Sequence, residues 1–476
     1  MRLAPQALAI FLGSMLSACI TPPRVLPTEK PVDRRIDLGL KGAPAQVEDA
    51  WWVEYQDPQL DRLINAAVGE NPTLEQTLAR VRLAQATVDA AATALWPYVS
   101  YDADVSRERL SGKDVIPHPY AGTKVWRGAE TLNFSWELDF WGRQSSLLRQ
   151  ARNDATASAL DAAAARLAII GAVVRTYFEL ERCYELVEVA EREERQRQEI
   201  LDITMERFKA GLDTSVELRQ AAGAVPEARV ARLTIQAELD RDVHLLAALT
   251  GHGVDQYEGI QRPKLDADRT LSMPSALPID LLARRPDILA CRLRVESARA
   301  GLEAARAEFY PNIDLSAFAG TQAIGLDNLF HGQAAAFGVG PALHLPVFDA
   351  GRLKAKYRAN TAAIDIALTA YNQTVLTAVR ESSDQLSNIA SLDSSLVEQE
   401  RSLDDAEEAF RLAGRRYKAG VSTYLTVLAT ETQVLAARRQ RVDLEWARAS
   451  ARVTLLIDVG GDFRPDPSEG LRAAGG

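Results

Sequence analysis

An internal duplication constrains the fold of this 476-residue chain more than any other feature of its sequence. The run Arg207 to Thr214 (RFKAGLDT) recurs as Arg416 to Thr423 (RYKAGVST). Self-similarity at a long, fixed offset indicates two copies of one structural unit. Two proline pairs also recur at equal spacing in each copy, Asn71-Pro72 with Trp96-Pro97 and Arg285-Pro286 with Tyr310-Pro311. The predicted divisions are a signal peptide (1–18), a lipid-anchored linker (19–50) and a first repeat (51–256). An inter-repeat segment (257–284), a second repeat (285–458) and a C-terminal tail (459–476) follow.

Each copy has the same order of predicted elements. A helix of about 25 residues begins at a proline, where the missing N–H costs nothing, and ends at the next proline. Two strands, a long helix, a tight Lys-Ala-Gly turn and a shorter return helix follow. The predicted strands are Tyr98 to Arg107, Glu130 to Phe140, Asn312 to Gln322 and Ala335 to Phe348. The predicted long and return helices are Gln144 to Lys209, Asp213 to Thr250, Leu353 to Lys418 and Thr423 to Asp458.

The long helices carry a coiled-coil pattern. About 65 residues at 1.5 Å each make a rod of roughly 100 Å. In the second copy, the seam positions alternate by four and three residues from Tyr371 through Phe410 to Tyr417. A repeat of 3.5 residues held over many turns requires a superhelical partner. The frequent alanines outside this seam favour a second packing face, which a helix in a closed ring needs.

The strands predict an oligomer if they lie in a membrane. Aromatic residues gather at the strand ends of the first copy, which suits the girdles of a membrane barrel or, alternatively, a soluble core. Four strands cannot close a barrel, since the smallest membrane barrels use about eight, and open edges are not tolerated in lipid. Eight strands from two chains fill their own interior, whereas twelve from three chains leave an aqueous lumen. The strand count therefore favours a trimer.

The N-terminus predicts export and a lipid anchor. Met1-Arg2 and the short apolar stretch from Ala7 to Leu16 form a signal peptide too short to span a bilayer, which takes about 20 residues. The run Leu-Ser-Ala-Cys ending at Cys19 resembles a bacterial lipobox, in which the cysteine becomes the acylated first residue. The alternative is ordinary cleavage beside an incidental cysteine. No other cofactor is expected.

Composition excludes several functional classes. The formal charge of −10 makes the chain a poor candidate for nucleic-acid binding. Five histidines without ligand spacing argue against a metal site. Cys183 and Cys291 lie in helical patterns, where buried thiols are favoured over a disulfide. No stretch of the mature chain is apolar enough to be a transmembrane helix, and no catalytic motif occurs, so we expect no enzyme.

Several motifs in order carry a family resemblance. They are Trp51 to Leu60 (WWVEYQDPQL), Asn71 to Leu74 (NPTL), Arg284 to Asp287 (RRPD), Tyr310-Pro311 and Pro346 to Arg352 (PVFDAGR). The chain resembles the outer-membrane efflux proteins related to TolC, in the lipoprotein branch with OprM and the nodulation-type transporters. The resemblance covers nearly everything after residue 45 and implies a mainly α fold with a membrane β-barrel portion. Four strands and four long helices per chain would close as a homotrimer.

The resemblance also implies partners. They would be a periplasmic adaptor, an inner-membrane RND-type proton-driven pump and outer-membrane lipid, and Ile20 after Cys19 favours sorting to the outer membrane. The two Lys-Ala-Gly turns would form periplasmic tips that contact the adaptor. The expected contact residues are Arg207, Lys209, Gly211, Thr214, Arg416, Lys418, Gly420 and Thr423.

A gate is expected just after the second turn. Related channels often have Tyr-Leu-x-x-Leu-Asp there, whereas this chain places Ala429 after Leu428. Leu425 and Leu428 would form an apolar constriction, with Glu431 supplying charge nearby. The missing aspartate predicts a gate that closes less tightly than in relatives.

Three functional hypotheses come from different classes: an export duct, a structural scaffold and an enzyme, of which the enzyme is disfavoured because no catalytic motif occurs. An export duct explains the signal, duplication, strands and helices together. A lipid-tethered periplasmic coiled-coil scaffold explains the helices and leaves the strands without a role. The outer-membrane component of a type I protein secretion system is a variant of the duct. The cargo stays open, with small molecules favoured by analogy.

Overall fold

The computed structural model describes residues 26–31, 50–113, 118–265 and 284–461, together with residue 463. The predicted leader and Cys19 lie outside these residues. The first repeat contains α1 (Pro58–Glu70), α2 (Pro72–Thr93), β1 (Tyr98–Arg109), β2 (Lys124–Leu138), α3 (Arg143–Lys209) and α4 (Ser215–Leu249). The second contains α5 (Pro286–Ala307), β3 (Asn312–Ile324), β4 (Ala335–His344), α6 (Arg352–Lys418) and α7 (Tyr424–Asp458).

The two copies match element by element. Helices α2 and α5 each have 22 residues, α3 and α6 each have 67, and α4 and α7 each have 35. The predicted bounds of the four longest helices agree with the structure to within one or two residues, because glycines with positive φ stand at equivalent places beside their ends in both copies. The duplication read from the sequence is therefore a duplication of structure.

The strand bounds differ from the prediction at several ends. Strand β2 begins at Lys124 rather than Glu130, because its ladder with β1 extends to the pair Arg109 and Lys124. Strand β4 ends at His344 rather than Phe348. Its ladder with β3 ends at the pair Asn312 and His344.

The chain folds into two compact units. One unit, comprising Met1–Pro31, Arg80–Ser158 and Ala290–Asn372, contains all four strands. They form one sheet in the order β1-β2-β3-β4, with every neighbouring pair antiparallel. Strands β2 and β3 join the two repeats, and β1 and β4 are open edges within the described residues.

The sheet has one apolar and one mostly polar face. Paired residues of an antiparallel sheet share a face, and successive residues alternate between faces. One row runs Val99, Phe134, Ala317 and Val339, and the next row on the opposite face begins Ser100 and Asn133. The apolar face is exposed in this chain: Tyr101 is 62%, Phe337 84% and Val339 78% exposed. These side chains are therefore not part of a soluble core.

The other unit, comprising Val32–Ala79, Ala159–Leu289 and Gln373–Gly476, contains the main hydrophobic core. The core forms where a 3-10 helix at Trp51–Tyr55 and helix α1, neither of them predicted, pack on α3, α4 and α7. Its largest buried side chains include Tyr177, Phe178 and Trp446. Asp57, which caps α1, also accepts hydrogen bonds from the Tyr177 hydroxyl (2.7 Å) and the backbone N–H of Lys264 (2.8 Å).

One prediction about the helices needs correction. Helix α3 contains a window that is long and apolar enough to cross a membrane by length and composition, although none was expected. Half of that window is buried inside the protein, as in the core helix of a soluble unit.

Candidate functional site

The two hairpin turns have the same backbone geometry. Helices α3 and α6 each end in a glycine with positive φ, 72° at Gly211 and 76° at Gly420. The next N–H reaches back to the last turn of the helix, from Leu212 to the Arg207 carbonyl (2.9 Å) and from Val421 to the Arg416 carbonyl (3.0 Å). This is the hydrogen-bonding pattern of a Schellman motif, which favours glycine at the left-handed position.

The return helices begin differently. Thr214 forms a capping box with Glu217: the N–H of Val216 donates to the Thr214 hydroxyl (3.2 Å), and the N–H of Thr214 donates to Glu217 Oε2 (2.9 Å). Thr423, the equivalent residue, makes no side-chain capping bond. The structure thus places Thr214, a predicted adaptor contact, in a structural role at the helix N-terminus. Asp213, the residue before Thr214, pairs with Arg207 and does not cap the helix.

Arg207 joins the two turns. Its guanidinium forms a two-pronged pair with Asp213, with Nε to Oδ2 at 2.9 Å and Nη2 to Oδ1 at 3.1 Å. Nη1 donates to the backbone carbonyl of Tyr417 (2.9 Å), and the guanidinium carbon lies 4.4 Å from the centre of that ring. Its side chain is only 13% exposed. Most of its hydrogen-bonding capacity is therefore used within the chain.

Tyr417 completes this contact from the second turn. Its hydroxyl donates to Asp213 Oδ2 (2.5 Å) and lies 3.1 Å from the hydroxyl of Thr204, which is fully buried. We call Thr204, Arg207, Asp213 and Tyr417 the cross-hairpin cluster. The hydrogen bonds from Arg207 hold the pKa of the Asp213 carboxyl below its ordinary value. Burial and then the bond to Asp213 raise the pKa of Tyr417.

The remaining basic residues of the turns face solvent. Lys209 pairs with Glu206 (2.7 Å) at the surface. Arg416 and Lys418 are exposed, and neither forms an ion pair among the residues that the structure describes. Gly211 has open space around it, while the place of a Cβ on Gly420 lies 3.8 Å from Arg207 Nη1. Of the eight predicted contact residues, Arg207 alone is half-buried, and the other seven are exposed.

The predicted gate residues separate into two kinds. Leu425 is 68% exposed, and Leu428 is partly buried against a core of Tyr417, Tyr424 and Val427. Glu431 is only 2% exposed and lies inside the protein near Arg197. Glu431, expected to supply charge near the gate, is thus buried, because the face of α7 that carries it packs inward.

The described residues contain no group of His, Cys, Asp and Glu that could hold a metal ion. Cys183 is buried, with the nearby carboxylate of Asp242 3.5 Å from its sulfur. Burial raises the pKa of this thiol to about 12, which keeps it unreactive at neutral pH.

A protein-family match covers one segment in each of the two repeats. The family model described as outer membrane efflux protein matches residues 63–252 and 277–461. The chain belongs to the outer membrane efflux protein family. It is 33% identical to the fusaric acid resistance protein FusA of Burkholderia cepacia over 75% of this chain and 69% of that protein. It is 30% identical to the pyoverdine export outer membrane protein OpmQ of Pseudomonas aeruginosa over 95% and 97% of the two chains.

Solved structures give the same fold. The outer membrane protein VceC of Vibrio cholerae superposes with a TM-score of 0.83 and 31% identity, covering 88% of this chain and all of that one. The fold is therefore that of the TolC-like outer-membrane channels. The family and the fold are those of efflux exit channels, as the sequence predicted, and not those of an enzyme.

Proposed function

We propose that three copies of this chain form the exit duct of a tripartite efflux system, fed by a periplasmic adaptor and an inner-membrane RND-type pump. The four-stranded sheet carries this proposal. Within the described residues it leaves the outer edges of β1 and β4 unpaired and presents an exposed apolar face, and lipid tolerates neither an open edge nor an unpaired backbone. Pairing β4 of one copy with β1 of the next would close twelve strands around an aqueous lumen.

A lipid anchor on Cys19 would hold the duct in the outer membrane through diacylglycerol and N-acyl chains. Residues 26–31 support this placement. The N–H groups of Thr28 and Glu29 donate to Asp365 Oδ1 on α6 (2.8 and 3.1 Å), and Asn372 donates to the Lys30 carbonyl (2.8 Å). The stretch from Cys19 to Leu26 spans at most about 25 Å, so the acyl chains would stay close to the unit that contains the sheet.

Small organic molecules are the proposed cargo, and no catalytic step or resident cofactor is needed. The names of the relatives support this class, since they refer to fusaric acid resistance, pyoverdine export and toluene efflux. These names favour small-molecule efflux over type I protein secretion. Docking of the adaptor would use the exposed cations Lys209, Arg416 and Lys418, and Leu425 would form the apolar constriction of the gate.

Disulfide cross-linking tests the strand closure. In a variant with Cys183 and Cys291 replaced by serine, cysteines are scanned in pairs along β1 and β4, beginning with Ser100 and Ala342. Some pairs are expected to give cross-linked dimers and trimers in membranes and no larger species. Cysteines at Leu132 and Ala319, already paired within one chain, serve as the control and should give monomers only. Monomers at every β1–β4 pair would contradict the duct.

A further inference from the structure

A second group of charged side chains, which includes two buried carboxylates and the partly exposed Arg439, lies between α3 and α7. Glu193 is 4% and Glu431 2% exposed. Glu193 pairs with Arg197 Nη2 on its own helix and with Arg439 Nη2 on α7, both at 2.9 Å. We call Glu193, Arg197, Glu431 and Arg439 the Glu431 cluster. It contains two carboxylates and two guanidinium groups, so its formal charges balance.

The pairing within this cluster is unequal. Both guanidinium groups bond to Glu193, whereas the nearest approach of Glu431 is 4.0 Å, to Arg197 Nε. Neither Glu431 Oε1 nor the Arg197 Nε has a hydrogen-bond partner. The side-chain amide of Gln196 lies nearby and favours the charged carboxylate, but its Nε2 also lacks a well-formed hydrogen bond. An ionised Glu431 is therefore poorly compensated where it lies.

The other groups that face this site do not correct the imbalance. On α4, the Ala224 carbonyl accepts from Arg197 Nη1 (2.9 Å), and Glu227 lies 3.5 Å from the same nitrogen but is 78% exposed. On α7, the Tyr424 phenol interacts electrostatically with Glu431, and burial raises the pKa of this phenol to about 12. Burial raises the pKa of Glu431 from its ordinary 4.5 to about 7, and Glu193 adds to the rise while Arg197 and Gln196 oppose it.

Glu431 lies on the face of α7 that packs against the turns. Tyr424, Val427 and Glu431 are spaced three and four residues apart, so they share one helix face. Tyr424 and Val427 are buried in the core that includes Tyr417 of the cross-hairpin cluster. Ionisation of Glu431 is therefore expected to weaken the packing of the same helix face that contacts the second turn.

We propose that Glu431 is a pH-sensitive latch for the second hairpin turn, whose neutral form keeps α7 packed on α3 and whose ionisation weakens that packing. The packed state has the higher carboxyl pKa. Its stability is therefore greatest below about pH 4.5 and decreases progressively until the pH passes about 7. The latch itself does not depend on the proposed function. Only its consequence, a duct tip that closes more firmly in an acidified periplasm, rests on that function.

Hydrogen exchange of the purified full chain in detergent tests the latch. Exchange of amides in residues 420–430 is compared between wild type and Glu431→Gln at each pH from 5 to 8, which cancels the intrinsic pH dependence of exchange. The ratio of wild-type to variant opening is expected to rise on the order of tenfold across this range. Glutamine has the same shape and no charge, so the variant should show less opening than wild type at pH 8.

Glu227→Gln is the matched control, because it removes an exposed carboxylate from the same arginine; its exchange should follow wild type at every pH. If Glu431→Gln does not fold, wild type alone decides: opening of residues 420–430 relative to core residues 177–187 should still rise with pH. A constant ratio between pH 5 and 8 would overturn the latch. Conductance in planar bilayers tests the duct separately, since a protein that forms no pore at any pH contradicts the proposed function and leaves the exchange result unaffected.

Discussion

The first and second hairpin turns share a sequence pattern and a backbone geometry, and they differ in how their side chains are held. In the first, Arg207 binds Asp213 on one side and the Tyr417 carbonyl on the other, and Thr214 forms a capping box. In the second, Ser422 replaces Asp213, Arg416 faces solvent, and Thr423 makes no capping bond.

This difference shows how duplicated segments can separate their roles by a few side chains. Asp213 provides the carboxylate that keeps Arg207 within the chain, and Tyr417 adds a hydroxyl where the first copy has Phe208. The first turn thereby serves as a fixed support. The second retains unpaired cations and an exposed Leu425, which suit contact with a partner and movement at a gate.

The largest effect is expected from removing the Asp213 carboxylate, which holds Arg207 in the first turn. Asp213→Ala leaves the Arg207 guanidinium largely buried without its carboxylate, and removing one partner of such a pair costs about 3 kcal/mol. The free energy of local opening of both turns should fall by about this amount, measured by hydrogen exchange. Ser422→Ala, the equivalent change in the second turn, should alter it by less than about 0.5 kcal/mol. Equal effects of the two changes would contradict the difference between the turns.

The contribution of Asp213 also has a definite pH dependence. Its pKa is lowered in the folded protein, so the stabilisation is present above its ordinary value of 3.8 and is lost as the pH falls below it. The difference between wild type and Asp213→Ala should therefore shrink between pH 4 and pH 2 and stay constant between pH 5 and 8. A difference that persists undiminished at pH 2 would show that the carboxylate charge is unimportant.

The hydroxyl of Tyr417 should contribute less than the Asp213 carboxylate. Tyr417→Phe removes the bond to Asp213, and the loss of a hydrogen bond to a charged group costs about 1.5–3 kcal/mol. Local opening of residues 413–421 measures this change. Phe208→Tyr places the same hydroxyl at the equivalent, partly exposed position and should change the free energy of local opening little. A stabilisation there as large as the loss in Tyr417→Phe would argue against a specific role of the cross-hairpin cluster.

The capping difference should be the next smaller effect. Thr214→Ala is expected to destabilise the start of α4 by about 1 kcal/mol, whereas Thr423→Ala, which breaks no capping bond, should cost only a few tenths at the start of α7. Exchange of the first-turn amides reports each change. Equal costs at both helix starts would mean that the capping box is not what distinguishes them.

The smallest effect on the turns is expected from the exposed cations. Replacing Arg416 and Lys418 together by glutamate should change local opening by less than about 0.5 kcal/mol, because neither forms an ion pair within the described chain. In a host that lacks its own efflux channels, the same variant should lose severalfold in drug resistance while its oligomer stays intact. Full resistance would remove these residues from the proposed docking surface.

The regular elements were predictable from the sequence because local signals determine them. Prolines begin α2 and α5, Gly211 and Gly420 follow the ends of α3 and α6, and the duplicated pattern provides an independent check on each boundary. Helix α1 was missed although its sequence carries clear signals, a capping Asp57, Pro58 at its first position and one apolar face. The extent of β2 was missed because the ladder with β1 decides it, and pairing partners are not visible in one strand.

The contacts of the site were less predictable. Arg207 and Tyr417 lie 210 positions apart in the sequence, and only the fold brings them together. The sequence did contain one signal of the difference between the turns. Ser422 stands where the first copy has Asp213, so Arg416 lacks the carboxylate that Arg207 pairs with. Burial of Glu431 had no comparable signal, since an acidic residue on an amphipathic helix usually faces water.

The central claim is a trimeric duct in the outer membrane, and imaging of the detergent-extracted full-length protein tests it most directly. Negative-stain class averages with mass from light scattering should show three-fold particles containing three chains. Particles of one or two chains that stay soluble without detergent would contradict the duct and favour a lipid-tethered periplasmic scaffold.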